Sequence, residues 1–192
     1  LNAKQSVFEQ LVRQNPASTI LATNTSSIPI TRIAAGVEHP ERVVGMHFFN
    51  PAHVMKLVEV ISGNATQDQV ATAVYQLAVE MGKEPVYAAD TPGFIVNRIA
   101  RHFYVESLKV LEEQVSSVEG IDRLMEATGF RMGPFQLMDL IGVDTNFDVT
   151  RTMYEAFHYE PKFRPSLIQE RKVDAGHHGR KTGKGFYTYN DQ

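Results

Sequence analysis

Apolar and polar residues along this chain follow two periods, and the change between them falls near the middle. From Asn15 onward, short strand-like runs alternate with helical stripes. NPAST leads into the β-like run ILAT, and IPITRIAAG predicts a short helix with Pro29 near its first turn and Gly36 past its end. RVVGMHFF predicts a buried strand broken at Asn50-Pro51, and KLVEVIS predicts the next, so His47 closes one strand and Glu59 lies on its neighbour. TQDQVATAVYQLAVEMG predicts a helix with a Thr66/Gln69 capping box, a stripe of Val70, Ala73, Val74, Leu77, Ala78 and Met81, and a stop at Gly82. EPVYAA completes a strand, helix, strand series of the kind that builds a mostly parallel sheet. Ahead of this, LNAKQSVFEQLV already shows helical spacing at Val7, Phe8 and Leu11 with no capping residue before it, so the chain is expected to begin inside a longer protein.

After Asp90 helix signals take over until the terminal FYTY. GFIVNRIARHFYVESLKVLEEQ predicts a long amphipathic helix. Ser116 with Glu119 makes a capping box for VEGIDRLMEAT, Pro134 opens a further helix, Asp144 is placed to cap DVTRTMYEAF, and Pro165 starts RPSLIQERKVDAG. The pattern predicts an α/β domain over residues 1–89 followed by an all-α domain over residues 90–192.

Composition narrows the function. With 43% hydrophobic residues in 192, the chain can bury a substantial core. Six basic and seven acidic residues up to Ala89, and thirteen and fifteen after it, argue against nucleic-acid binding by either half. The absence of cysteine removes disulfides, thiolate nucleophiles and the commonest zinc sites, and fits a reducing compartment; with no membrane-length apolar run and no signal peptide, a cytoplasmic location is expected.

Polar groups that fall where strands end draw attention next. Ser26 follows ILAT, His47 follows VVGM, and ligands of open α/β sheets bind at the carboxyl ends of strands. Glu59, between Val58 and Val60, is costly to bury unless a group pairs with it, and a histidine on the adjacent strand is such a partner. A carboxylate that holds one imidazole nitrogen protonated raises the basicity of the other, which makes a competent general base. Plainer readings stand beside these: a structural His47 among aromatics, Glu59 on the solvent face of an edge strand, and Ser26 as part of a turn or N-cap. Asn97, among Phe94, Ile95, Val96 and Ile99, either faces solvent, makes an inter-helix contact or bonds something important. His177-His178 lacks metal-ligand spacing and reads as solvated, as does the basic run from Arg171 to Lys184; no metal site is expected. Gly183-Lys184 is followed by Gly, which rules out a P-loop, and no G-x-G-x-x-G joins a strand to a helix.

NTSSIPIT, GMHFFNP, MKLVEVI and DTPGFIVNR, in that order and at these spacings, resemble the L-3-hydroxyacyl-CoA dehydrogenase family, including its 3-hydroxybutyryl-CoA members, and the terminal GRKTGKGFYTY resembles the close of that family's helical domain. The resemblance covers essentially the whole chain. It implies the C-terminal part of a Rossmann-type NAD-binding domain, followed by a helical domain that forms a homodimer. It also implies oxidation of a 3-hydroxyacyl-CoA to a 3-oxoacyl-CoA in fatty-acid β-oxidation or related acyl-CoA metabolism, without nucleic acid or membrane partners. By motif position, His47 matches the catalytic base and Glu59 its orienting carboxylate. Ser26 and Asn97 match the groups around the reacting oxygen and nicotinamide, Lys4 and Asn24 the NAD site, and Asn50 a position near the substrate. The family's first strand, glycine-rich turn and ribose-binding acid have no counterpart here. The 192 residues alone are therefore expected to fold around the helical domain, bind NAD weakly and turn over poorly.

Two other readings remain at this point. Ser26, His47 and Glu59 could form an acyl-transfer triad, although no G-x-S-x-G surrounds Ser26. The chain could also serve as a non-catalytic dimerising or binding module derived from the family.

Overall fold

The structure, a computed structural model, describes residues Leu1–Tyr189; residues 190–192 of the expected helical domain lie outside the described residues. Two compact units divide between Asn97 and Arg98.

The first unit contains α1 (Asn2–Gln14), β1 (Leu21–Thr23), α2 (Ile30–Ala34), β2 (Val43–Phe48), β3 (Leu57–Ser62), α3 (Asp68–Glu80) and β4 (Glu84–Ala89), and ends where α4 (Val96–Glu112) begins. The strands form one sheet in the order β1-β2-β3-β4. β1 with β2 and β3 with β4 are parallel, while β2 and β3 are antiparallel. The expected mostly parallel sheet is thus a mixed one, because only residues 49–56 join β2 to β3 and a parallel return needs a crossover of a dozen residues or more, usually a helix.

The period of two sorts side chains between the faces. Val43 and Ile61 pack with Phe8 and Val12 of α1 and with Ile30 and Ile33 of α2. Val44, Met46, Val58 and Val60 point the other way, onto Val70, Val74 and Ala78 of α3. Gly45 sits where α2 crosses β2: a Cβ there would lie 2.8 Å from Ile30 Cδ1 and 2.9 Å from Ile61 Cβ. The parity that aims position 45 at α2 also aims His47 to that face.

Several local expectations are corrected. In α1 the buried pair is Phe8 and Val12, while Val7 and Leu11 are exposed. Thr66 does not cap α3. Its hydroxyl donates to Val43 O at 2.6 Å and accepts the Gly63 N–H at 2.9 Å, and the helix starts at Asp68 after Gln67. The buried face of α3 is rotated toward Ala71, leaving Ala73 and Leu77 exposed, and the exposed Met81 falls past the last helical residue. Gly82 does follow the helix end, with φ +72°.

The second unit holds the rest of α4 with α5 (Val118–Ala127), α6 (Pro134–Ile141), α7 (Val143–Ala156) and α8 (Leu167–Asp174). Tyr104, Leu108, Ile121, Phe135 and Met138 form its core. Ser117 rather than Ser116 caps α5, accepting the Gly120 N–H. Asp144 lies inside the first turn of α7, after Gly142, and is bonded to Lys181 at 2.7 Å instead of capping. His178 is half-buried 3.7 Å from Asp144, not fully solvated as expected. Two buried carboxylates anchor the terminal segment: Asp139 accepts the Phe186 and Tyr187 N–H groups, and Asp122 accepts the Tyr187 hydroxyl while capping α6 through Phe135 and Gln136. The β-like FYTY contributes only an isolated bridge, Lys184 with Thr188. No helix among the described residues is long and apolar enough to cross a membrane.

Candidate active site

Antiparallel register decides the central feature. His47 on β2 stands directly opposite Glu59 on β3, and opposed residues of an antiparallel pair carry their side chains on the same face. His47 Nδ1 lies 2.7 Å from Glu59 Oε2, and both side chains are buried, at 3% and 0% exposure. An ionised carboxylate only accepts, so Nδ1 carries the proton and Nε2 is left with a lone pair. Ser26 Oγ lies 2.9 Å from that Nε2 and donates to it. The ring is wedged edge-on between Phe49, at 4.7 Å between centroids, and Phe94, at 5.6 Å.

Glu59 is held on both oxygens. Oε1 accepts the N–H groups of Ile95 at 2.9 Å and Val96 at 3.0 Å, where the chain enters α4. Burial pushes the Glu59 carboxyl up, but the bonds from His47, Val96 and Ile95 outweigh it and hold the group below the usual carboxylate range. The carboxylate is therefore ionised at neutral pH inside an apolar face, a costly placement compensated by three donors.

The other sequence-stated residues divide. Asn24, one residue past β1, accepts the Phe48 N–H on Oδ1 at 3.1 Å, which leaves its amide NH2 as a donor. Lys4 on α1 reaches Thr23 Oγ1 at 3.4 Å. Ala3, Lys4, Ala22, Thr23 and Asn24 line an open cleft of about 310 Å³ at the carboxyl end of β1. Its ammonium and amide donors suit an acceptor-rich dinucleotide. Asn97 is half-buried in the first turn of α4, directly after the two amides that Glu59 accepts. Asn50 is exposed at the cis Asn50-Pro51 bond beyond β2, apart from the His47 cluster's hydrogen bonds. No group of three or more His, Cys, Asp or Glu residues among the described residues could hold a metal ion.

Three contributors were missed from sequence. Asp90 accepts the Ile30 and Thr31 N–H groups at 2.8 and 2.7 Å. Phe94 adopts φ +48° beside His47, after Gly93 at φ +74°. Thr25 ties the Ser26 turn by accepting the Ile28 N–H at 3.0 Å. The only sequence signal for these is an aspartate between a strand and a Thr-Pro-Gly turn.

Two family models match the chain: one described as "3-hydroxyacyl-CoA dehydrogenase, NAD binding domain" over residues 1–91, and one as "3-hydroxyacyl-CoA dehydrogenase, C-terminal domain" over residues 93–189. The chain is 52% identical over 190 residues to a 3-hydroxyadipyl-CoA dehydrogenase of Escherichia coli (strain K12), covering 98% of this chain and 40% of the relative. A probable 3-hydroxybutyryl-CoA dehydrogenase of Bacillus subtilis (strain 168) is 44% identical over 191 residues, 99% of this chain and 66% of the relative. Among solved structures, a 3-hydroxybutyryl-CoA dehydrogenase from Escherichia coli K12 superposes with a TM-score of 0.97 at 50% identity, over 100% of this chain and 41% of that one. The chain thus spans between two fifths and two thirds of the length of these relatives.

Proposed function

The chain belongs to the 3-hydroxyacyl-CoA dehydrogenase family, and on that premise we propose that it carries the acid–base centre of an NAD-dependent enzyme that oxidises (S)-3-hydroxyacyl-CoA to 3-oxoacyl-CoA. The observation that carries this reading is the relay of buried Glu59 and His47 with Ser26 at its open end, with distances of 2.7 and 2.9 Å. His47 Nε2 takes the proton of the substrate hydroxyl, and the Glu59 charge stabilises the imidazolium that results. Ser26 and Asn97 donate to the reacting oxygen and, in the direction of reduction, stabilise charge that develops on the carbonyl. NAD, when bound, supplies the hydride acceptor for the hydrogen on C3. Lys4, Asn24 and Ser26 would hold its nicotinamide end, and Asn50 lies on the substrate side.

The same proposal comprises an NAD-binding part over residues 1–89 and a helical part over residues 90–192 that forms a homodimer, for which the exposed Ile99, Val115, Leu124 and Phe130 give support. A place in β-oxidation or related acyl-CoA metabolism, in the cytoplasm, completes it.

The test compares these 192 residues alone with a full-length protein in which a glycine-rich nucleotide-binding segment precedes them, following NADH consumption at 340 nm with acetoacetyl-CoA. Turnover is expected in the longer protein and little in the shorter, which lacks the turn that cradles the pyrophosphate. Equal turnover in both would sink the second expectation, and inactivity of the longer protein with every 3-oxoacyl-CoA tried would sink the first.

A further inference from the structure

Residues 90–95 join β4 to α4, and the two ends of this connector are tied to different halves of the relay. At the far end, the Ile95 and Val96 N–H groups are spent on Glu59, the carboxylate that holds His47. At the near end, Asp90 reaches across the first unit and accepts the Ile30 N–H on Oδ1 and the Thr31 N–H on Oδ2. These are the first two amides of α2. The helix has only five residues and follows Pro29, which offers no side-chain acceptor, so its start depends on a carboxylate from elsewhere.

What lies just before that start is the Ser26 turn. Thr25 is buried two residues past β1 and closes the turn from one side by accepting the Ile28 N–H. Pro29 leads directly from the turn into α2 on the other side. The Ser26 side chain itself is exposed and has no bond other than the one to His47 Nε2 among the described residues. Its 2.9 Å approach is therefore a property of the turn, and the turn is fixed by Thr25 at one end and by the capped α2 at the other.

We propose that Asp90 is a positioning residue: by gripping the start of α2 it sets the Ser26 hydroxyl against His47 Nε2, so that the connector carrying Glu59's backbone donors also registers the serine. Asp90 touches neither substrate nor cofactor in this role, and the inference rests on the dehydrogenase reading above for its kinetic consequence. A purely structural Asp90 would support α2 whether or not residue 26 has a hydroxyl. A positioning Asp90 acts through that hydroxyl.

The test is a double-mutant cycle in the full-length protein. Asp90→Asn keeps one acceptor but turns an NH2 toward an amide N–H. It is expected to lower kcat by about tenfold, within the range for small misplacements of catalytic groups, and by less than about twofold when added to Ser26→Ala. The same factor in both backgrounds, or no effect in either, would overturn the proposal. If Asp90→Asn does not fold, Asp90→Ser, whose hydroxyl can still accept from one amide, takes its place. The second measurement needs no turnover: the ¹⁵N shift of His47 Nε2 in the 192-residue chain should move in the same direction in Asp90→Asn as in Ser26→Ala. A shift that moves in Ser26→Ala but stays put in Asp90→Asn would overturn the inference, whereas loss of all activity in the unmutated protein would overturn the dehydrogenase reading alone.

Discussion

His47→Gln in the full-length protein is expected to lower the turnover of acetoacetyl-CoA by at least about a hundredfold, the lower bound for removing a positioned general base. Glutamine approximates the size of the ring, and its NH2 can donate to Glu59, so the carboxylate keeps a partner and the fold is retained. What disappears is a nitrogen lone pair facing Ser26 Oγ, now 2.9 Å away. KM should change far less than kcat, because the group acts on a proton in flight rather than on ground-state binding. Stopped-flow absorbance at 340 nm measures both. Activity within tenfold of the unmutated protein would remove His47 from the chemistry. His47→Gln would equally inactivate a serine acyl transferase, whose hydrogen-bond order Ser26, His47, Glu59 would be identical, so the two are separated by labelling instead. A fluorophosphonate probe that labels the unmutated protein, and fails to label Ser26→Ala, would favour acyl transfer.

Much of this site was legible in the sequence because it rests on short-range rules. Strand periodicity fixed the β2 and β3 runs, and with them the parity that sets His47 and Glu59 on one face once the strands pair. The antiparallel pairing was not legible, since it depends on whether residues 49–56 form a crossover helix, and an Asn-Pro break says only that the strand stops. Cap residues slipped for a related reason. Thr66 had the right neighbours for a capping box, but the Val43 carbonyl and the Gly63 amide, a strand and a turn away in space, claimed its hydroxyl first. Asp90 shows the limit most plainly. Its partners are 59 and 60 residues away, and no local pattern in Ala-Asp-Thr-Pro-Gly indicates which amides a carboxylate at the end of a strand will find.

Glu59 is where loss of fold and loss of chemistry should come apart. Glu59→Ala removes the acceptor for His47 Nδ1, Ile95 N and Val96 N together and leaves a void at a fully buried position. Breaking a buried pair costs about 3–5 kcal/mol, which urea unfolding of the 192-residue chain would read as a lowered midpoint. Glu59→Gln should cost much less, because its carbonyl oxygen can still accept from Ile95 and Val96. Its NH2, however, now points at His47 Nδ1, and the ring responds by taking the opposite tautomer: Nδ1 accepts, and the proton moves to Nε2. A protonated Nε2 cannot accept the substrate proton, so turnover should fall by about 10³- to 10⁴-fold, on the scale known for a wrong-tautomer histidine in a serine protease, in a protein that still folds. Acid titration supplies the independent check. The folded carboxyl of Glu59 lies below its ordinary value of 4.5, so its ionised form contributes stability in full above about that pH and loses it as the pH falls through the lower folded value. The unmutated chain should therefore lose more stability below pH 4.5 than Glu59→Gln does. Parallel acid profiles for the two would mean that the charge of Glu59 does not hold the relay together. Retention of turnover in Glu59→Gln would mean that the tautomer of His47 is set by something other than this carboxylate.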